Sequence, residues 1–337
     1  MKRLHQTNKP FSPKKSLPSD SDSLTKTQKE NTFFFCAFCD SLGLKLFIIH
    51  FALFIGGAAL HAQSALRQQN ETALASAATP VEKAAALTKL GRSTEALALL
   101  RDAARLAPDD PAIQLNTAIA LDHNGDHAAA RRIYDELLGR HQSIWQSYLK
   151  ARKAGNPPPA PTAYDTRLVA LAGSLTEAAA LNHVFLGQYD KAASLFAIIH
   201  ERASVHSSGA ATDRAALWRL WLTARMRFAA GMRSAVALET LIISLKVTTP
   251  FHEAMLQLYQ DRLPWEKVLE VISAMPLDAP AKERHTTEAH FFAAGFYRYV
   301  KRDNATALKL LETQDALPPN GLLERLLIRN ELQSLKR

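Results

Sequence analysis

The residues best suited to chemistry in this chain are its histidines and its two cysteines, and their spacing decides what they can do. His285 and His290, with Glu288 between them in the string HTTEAH, have the residue types of a zinc-hydrolase helix. Such a helix needs its two imidazoles four residues apart so that both reach one metal. Here the interval is five, which turns the second ring about 140° from the first at roughly 3.6 residues per turn. His123 and His127 do stand four apart, but Gly125 lies between them, and a glycine there ends a helix rather than continuing it. Cys36 and Cys39 form a CxxC pair, yet they are the only cysteines, and a zinc or redox site needs a second ligand pair or a βαβ frame. No Gly-rich phosphate loop, nucleophile elbow or isolated carboxylate pair occurs. The residues therefore point to a chain that is not an enzyme and holds no metal or cofactor.

What remains is the set of elements that would have to position any site. Of 337 residues, 47% are apolar and only 13 are glycine. Ala and Leu dominate, which favours helix throughout, and no run of alternating strand pattern interrupts it. Carboxylates alternate with Lys and Arg at helical spacing, as solvated faces require. The net charge is +9, and eight Lys or Arg against four acids before Gln63 account for +4 of it. The remaining surplus is spread over a long body with no basic stripe interleaved with aromatics, so nucleic acid is not an expected partner.

The amino-terminal part differs in kind. Residues 1–40 begin as a Ser, Thr, Lys and Pro-rich stretch with little apolar periodicity, predicted to be a disordered leader. Residues 41–62 contain the apolar run Leu46 to Leu60, long enough for the core of a secretory signal and short for a bilayer span. Leu60-His61-Ala62 before Gln63 has the small residue a signal peptidase requires, so cleavage after Ala62 and an exported, periplasmic or envelope location are predicted. The alternative is a retained inner-membrane anchor, and membrane contact is expected only if residues 42–60 stay attached. An initiation site called too far upstream would also explain the long polar extension. Residues 63–78 read as a linker.

Beyond the linker the chain repeats itself. Gly91 and Gly125, Ala96 and Ala130, and Leu100 and Tyr134 are each 34 residues apart. Glycine at such a position supplies the left-handed residue that ends one helix, and the small residues let paired helices approach closely. With Ala84, Ala118, Pro108 and Leu137 in matching places, this pattern resembles the tetratricopeptide repeat family, over units in residues 79–153. A third unit has Ala180, Gly187, Tyr189 and Ala192. Between them the prolines of residues 154–163 predict an extended link that interrupts regular stacking. Residues 164–337 continue as worn units: one around Trp218, Trp221 and Gly231, both tryptophans read as core; one with Leu256, Trp265, Val268 and Ile272; and one with Phe291, Gly295, Ala307 and Leu311. An amphipathic helix, Leu322 to Leu335, with its leucines on one side and Arg and Glu on the other, is placed as the cap a repeat array needs.

The resemblance implies an all-α, right-handed solenoid of antiparallel helix pairs whose first helices line a concave groove. Its groove positions fall on Leu115, Ile119, Asp122 and His123 in the second unit, and on Phe292, Phe296 and Tyr299 in the last. The latter set suits an apolar or helical ligand segment, or equally the capping helix itself. The Lys and Asn clamp of family members that hold chaperone carboxyl termini is replaced here by Val81 and Ala85. The functional expectation is a non-catalytic scaffold for an unknown protein or peptide partner. Its alternative is a structural subunit that self-associates as a homo-oligomer or packs into an envelope complex.

Overall fold

A computed structural model of the chain describes residues 66–205, 209–232, 236–317 and 322–336. The leader, the apolar run, the cleavage site at Ala62, the cysteine pair and the glycine and proline of residues 318–321 lie outside the described residues. Helix is the only regular structure among those described. Residues 66–76 form α1, followed by α2 (Pro80–Lys89), α3 (Ser93–Leu106), α4 (Pro111–His123), α5 (His127–Lys153), α6 (Ala163–Ala170), α7 (Ala172–Phe185) and α8 (Tyr189–Val205). Then come α9 (Gly209–Ala229), α10 (Val236–Ser244), α11 (Pro250–Tyr259), α12 (Trp265–Ala274), α13 (Ala279–Gly295), a π-helical turn (Phe296–Lys301), α14 (Asn304–Asp315) and α15 (Leu323–Leu335).

The helix starts are set by side chains that satisfy otherwise orphaned backbone N–H groups. Thr79 and Glu82 form a reciprocal capping box with Pro80 at the first helical position, Asp110 and Asp126 cap α4 and α5, and Thr162 with Asp165 caps α6 the same way. The ends are set by left-handed residues. Gly91, Gly125, Gly187 and Gly231 all have φ between 69° and 86°, and the residue after each donates its N–H five places back, as Arg92 does to the Leu87 carbonyl.

A rule then runs through the body. Seven residues before each of these four glycines stands a small, buried residue, Ala84, Ala118, Ala180 and Ala224, whereas the left-handed Gly155 at the end of α5 has the exposed Tyr148 in that place. Two left-handed positions carry side chains, Asp261 and Arg302, both at φ 60°. Counting back seven from them gives Ala254 and Gly295. The sequence reading placed Leu256 at the small position of the fourth unit, and the structure corrects this. Arg262 donates to the Gln257 carbonyl as Arg92 does to Leu87, so Asp261 is the equivalent of Gly91, and the loop before Trp265 is two residues longer than in the first unit. The second helices contribute Ala96, Ala130, Ala192, Val268 and Ala307, every one fully buried.

Residues 63–78, read as a linker, are helical from 66 to 76. Gln, Asn and Thr obscure the pattern, but Leu74 packs against the first core, formed by Ala84, Leu87, Ala96, Leu100, Ala103 and Ile113. The prolines at 157–161 are outside helix, and α6 follows them with a 60° bend into α7. The bend lets α6 pack on both α4 and α5 while α7 packs on α5, so an inserted helix sits between the second and third units. From α7 onward one aromatic core continues to the end of the chain. At its centre are Trp218 and Trp221 of α9, both buried and surrounded by Phe196, Phe291, Phe292 and Tyr299. A Cβ on Gly295 would lie 2.5 Å from the Trp221 Nε1. Glycine is therefore needed there for approach, not for a turn.

Helix α15 does close the array, but not with the face expected. Leu327, Ile328 and Leu332 are buried together with Glu324 and Glu331, which the sequence reading assigned to solvent. These acids have half-buried arginine partners, two of them from α9 far upstream and one from the π turn.

Candidate functional site

Most of the expected groove residues on α4 are used internally. Leu115 is buried in one cluster with Leu168 of α6 and Leu175 of α7, and Ile119 packs against that cluster. Asp122 is buried and accepts from the Tyr134 hydroxyl (3.0 Å), the Asn182 amide (2.7 Å) and His127 Nδ1 (2.9 Å). The His127 ring stacks on Phe185 at 4.5 Å, and Arg131 donates to the Ala179 carbonyl and to His183. Together these contacts stitch the second unit to the third. A buried carboxylate with three donors is a packing device, because leaving it unpaired would cost more than the bonds return. His123 is half-buried, and burial pushes its imidazole down to about 4, so it is neutral at pH 7.

The second groove set is corrected in the same sense. Phe292, Phe296 and Tyr299 are buried. In a regular array these positions face an open concave surface, whereas here α9, α11 and α15 close around α13. Phe292 meets Trp218 edge-on at 5.1 Å, Tyr259 donates to the Phe292 carbonyl at 2.9 Å, and the Tyr299 hydroxyl donates to Glu331. Burial, with Glu331 adding to it, holds the Tyr299 phenol well above its ordinary value.

Two buried ionic knots hold the last helix down. Arg214 of α9 meets Glu177 of α7 at 2.8 Å, Glu288 of α13 at 3.6 Å and the wholly buried Glu324 of α15. Burial alone would lower the Arg214 guanidinium, and the three carboxylates, Glu324 foremost, reverse that. Burial raises the Glu324 carboxyl in spite of Arg214. Glu331 takes Arg225 and, at 2.7 Å, Arg298. Arg225 also lies 4.4 Å over the Tyr189 ring. The two histidines of the HTTEAH string diverge: His285 meets Glu288 at 3.2 Å, while His290 bonds the Thr286 carbonyl and sits edge-on to Trp265 at 4.8 Å.

The apolar side chains left open lie elsewhere. Helix α5 is 27 residues long against 13 for its partner α4. Beyond His141 it carries Trp145, Tyr148 and Leu149 at 45%, 39% and 56% exposure. A second opening, about 300 Å³, is lined by Leu238, Ile242, Ile243, Tyr259, Phe296 and Val300, with Ile243 82% exposed at its rim. The strip on α5 was not read from the sequence as a site, whereas the second opening has Phe296, one of the expected groove positions, in its wall. For α5 a signal existed, since Ile144, Trp145, Tyr148 and Leu149 keep helical spacing past the point where the unit should end. Among the described residues no single helix is long and apolar enough to cross a membrane. The bent pair α6 and α7 has the composition, but Leu168, Leu175, Leu181 and Val184 are buried in the core.

This arrangement, paired helices held by small residues and ended by left-handed ones, defines a helical-repeat protein. Residues 87–152 match the family model of the tetratricopeptide repeat, so the chain carries repeats of that family, as its 34-residue period implied. Repeats of this family generally mediate contacts between proteins. No curated protein matches the chain.

Proposed function

We propose that the chain is a non-catalytic scaffold, exported to the cell envelope, that holds a protein or peptide partner. The observation that carries this reading is the tetratricopeptide segment at residues 87–152, extended in both directions by further stacked helices. The apolar run Leu46 to Leu60 followed by Leu60-His61-Ala62 supports export. With most of the expected groove positions filled by the chain's own core and Phe296 left in the wall of the opening beside Ile243, that opening is where an apolar side chain of a partner fits. Its rim carries Glu239, Asp261, Arg262 and Lys301, which suits a polar surround to an apolar anchor.

A photo-crosslinking residue at position 243 of the full chain, in its own cells, tests the binding role. A discrete protein adduct that is lost when Ile242 is changed to Asp supports it. Absence of any adduct, with a dimer by light scattering, replaces it with the self-associating structural subunit. Amino-terminal sequencing of the natural protein tests export: a chain that begins before Gln63 and is soluble in the cytosol refutes it.

A further inference from the structure

We infer that the projecting end of α5 is a docking surface for an anionic lipid membrane. From Leu137 to Tyr164 the chain contains Arg140, Lys150, Arg152 and Lys153 and not one Asp or Glu. On the helix, Ile144, Trp145, Tyr148 and Leu149 fall on one side, in line with the buried His141. Gln142, Gln146, Lys150 and Lys153 fall on the other, and Arg152, four residues after Tyr148, ends the apolar side with a cation. Trp145 lies against Tyr148 at 5.8 Å, and its indole N–H donates to His141 at 3.2 Å, so the aromatic pair is held in place before any contact is made. Arg140 is turned back over the Tyr164 ring at 4.1 Å, which leaves Lys150, Arg152 and Lys153 as the exposed cations of the tip.

The composition selects the occupant. An apolar strip with Trp and Tyr, ended by Arg152 and flanked by a polar face whose charges are all basic, is the pattern of a helix that lies at a lipid interface. A second copy of the same tip would bring like charges together, which disfavours self-pairing. The tip is also a ridge, not a groove, so it suits a broad surface better than a peptide that needs a cleft. This inference stands apart from the protein-binding reading and does not use the opening at Ile243.

The four tryptophans make the test local. Trp218, Trp221 and Trp265 are buried, and Trp145 alone is exposed. The emission of the full chain minus that of a W145F variant therefore reports the tip, whatever the apolar run near the amino terminus does. With vesicles of phosphatidylcholine containing about a third phosphatidylglycerol, the Trp145 difference emission should shift to the blue and resist acrylamide severalfold better than in buffer. With phosphatidylcholine alone it should not change. Each cation near an anionic surface is worth about fivefold in partitioning, so K150E/R152E/K153E should weaken the response by about a hundredfold or more while leaving circular dichroism unchanged. The inference is overturned if Trp145 stays as quenchable with anionic vesicles as in buffer even though the chain sediments with them, or if the triple variant responds like the parent. Shielding of Trp145 by poly-glutamate but not by vesicles would assign the tip to an acidic protein segment instead. None of these failures would affect crosslinking at position 243.

Discussion

Replacing Gly295 by Ala tests whether close helix approach, and not turn geometry, explains that glycine. In an exposed helix interior, Gly to Ala stabilises by about 1 kcal/mol, since glycine loses more backbone freedom on folding. Gly139 in α5 is such a position: no atom lies within 4 Å of where its Cβ would sit. At Gly295 the added Cβ would stand 2.5 Å from the Trp221 Nε1, and the Tyr259 hydroxyl is 3.4 Å away. Trp221 is 1% exposed and boxed in by Trp218, Phe291 and Tyr299, so it cannot swing aside without moving its neighbours. Overpacking of this kind costs about 1–3 kcal/mol. Because the clash here is with a rigid ring system, the upper end applies, and after the propensity gain G295A should lose about 2 kcal/mol. For a domain of this size that is a fall in Tm of about 4 °C, against a rise of about 2 °C for G139A. Thermal melts followed by circular dichroism would measure both. A W221F background should recover much of the loss, which a double-mutant cycle reads as coupling. If G295A is neutral or stabilising, or if W221F does not couple to it, the close-approach explanation is wrong.

Three further outcomes follow from the buried ionisable groups. Glu331→Ala leaves Arg225 and Arg298 without their shared carboxylate and should cost about 3 kcal/mol, seen as faster amide exchange and proteolysis confined first to α15. Asp122→Ala removes the acceptor for Tyr134, Asn182 and His127 and should cost about 2–3 kcal/mol; amide exchange should rise at the junction of α5 and α7 before it rises in α13. His290 is neutral in the folded chain, with burial pushing it down from 6.5 to about 4. The unfolded chain therefore binds the proton first as pH falls, and the stabilising effect is full above pH 6.5 and lost on the way down to about 4. Urea titrations between those limits should show a slope smaller by up to about 1.4 kcal/mol per pH unit in H290L.

The parts of the fold that could be read in advance are those written locally. The 34-residue interval of Gly91 and Gly125 and the alanines around them specify a turn and two helix contacts within one unit, and the structure uses them so. The turns at Asp261 and Arg302 carry no glycine, so their equivalence emerges only from backbone geometry, and the register of Leu256 was lost with it. Helix 66–76 hid behind Gln, Asn and Thr. The groove residues were misplaced for a different reason. Positions that are concave in a regular array become interior when α6 bends back over Leu115, when Trp218 of α9 meets Phe292, and when Tyr259 of α11 packs on Phe296. Glu324 and Glu331 looked like solvent-facing acids because their partners, Arg214 and Arg225, lie 110 and 106 residues upstream, and no local pattern reports such a distance.

Stacked repeats have no inherent length. The surface that receives one unit is much like the surface the next unit presents, and a contact of that kind, left open, propagates into filaments. Helix α15 covers the face that the last unit presents here, and it does so with acids as well as leucines. The two carboxylates it inserts answer Arg214, Arg225 and Arg298, a triplet assembled by α9 and the π turn together. Any helix stacked there instead would have to bring carboxylates to the same three guanidiniums, so the surface beneath α15 is keyed by charge as well as by shape.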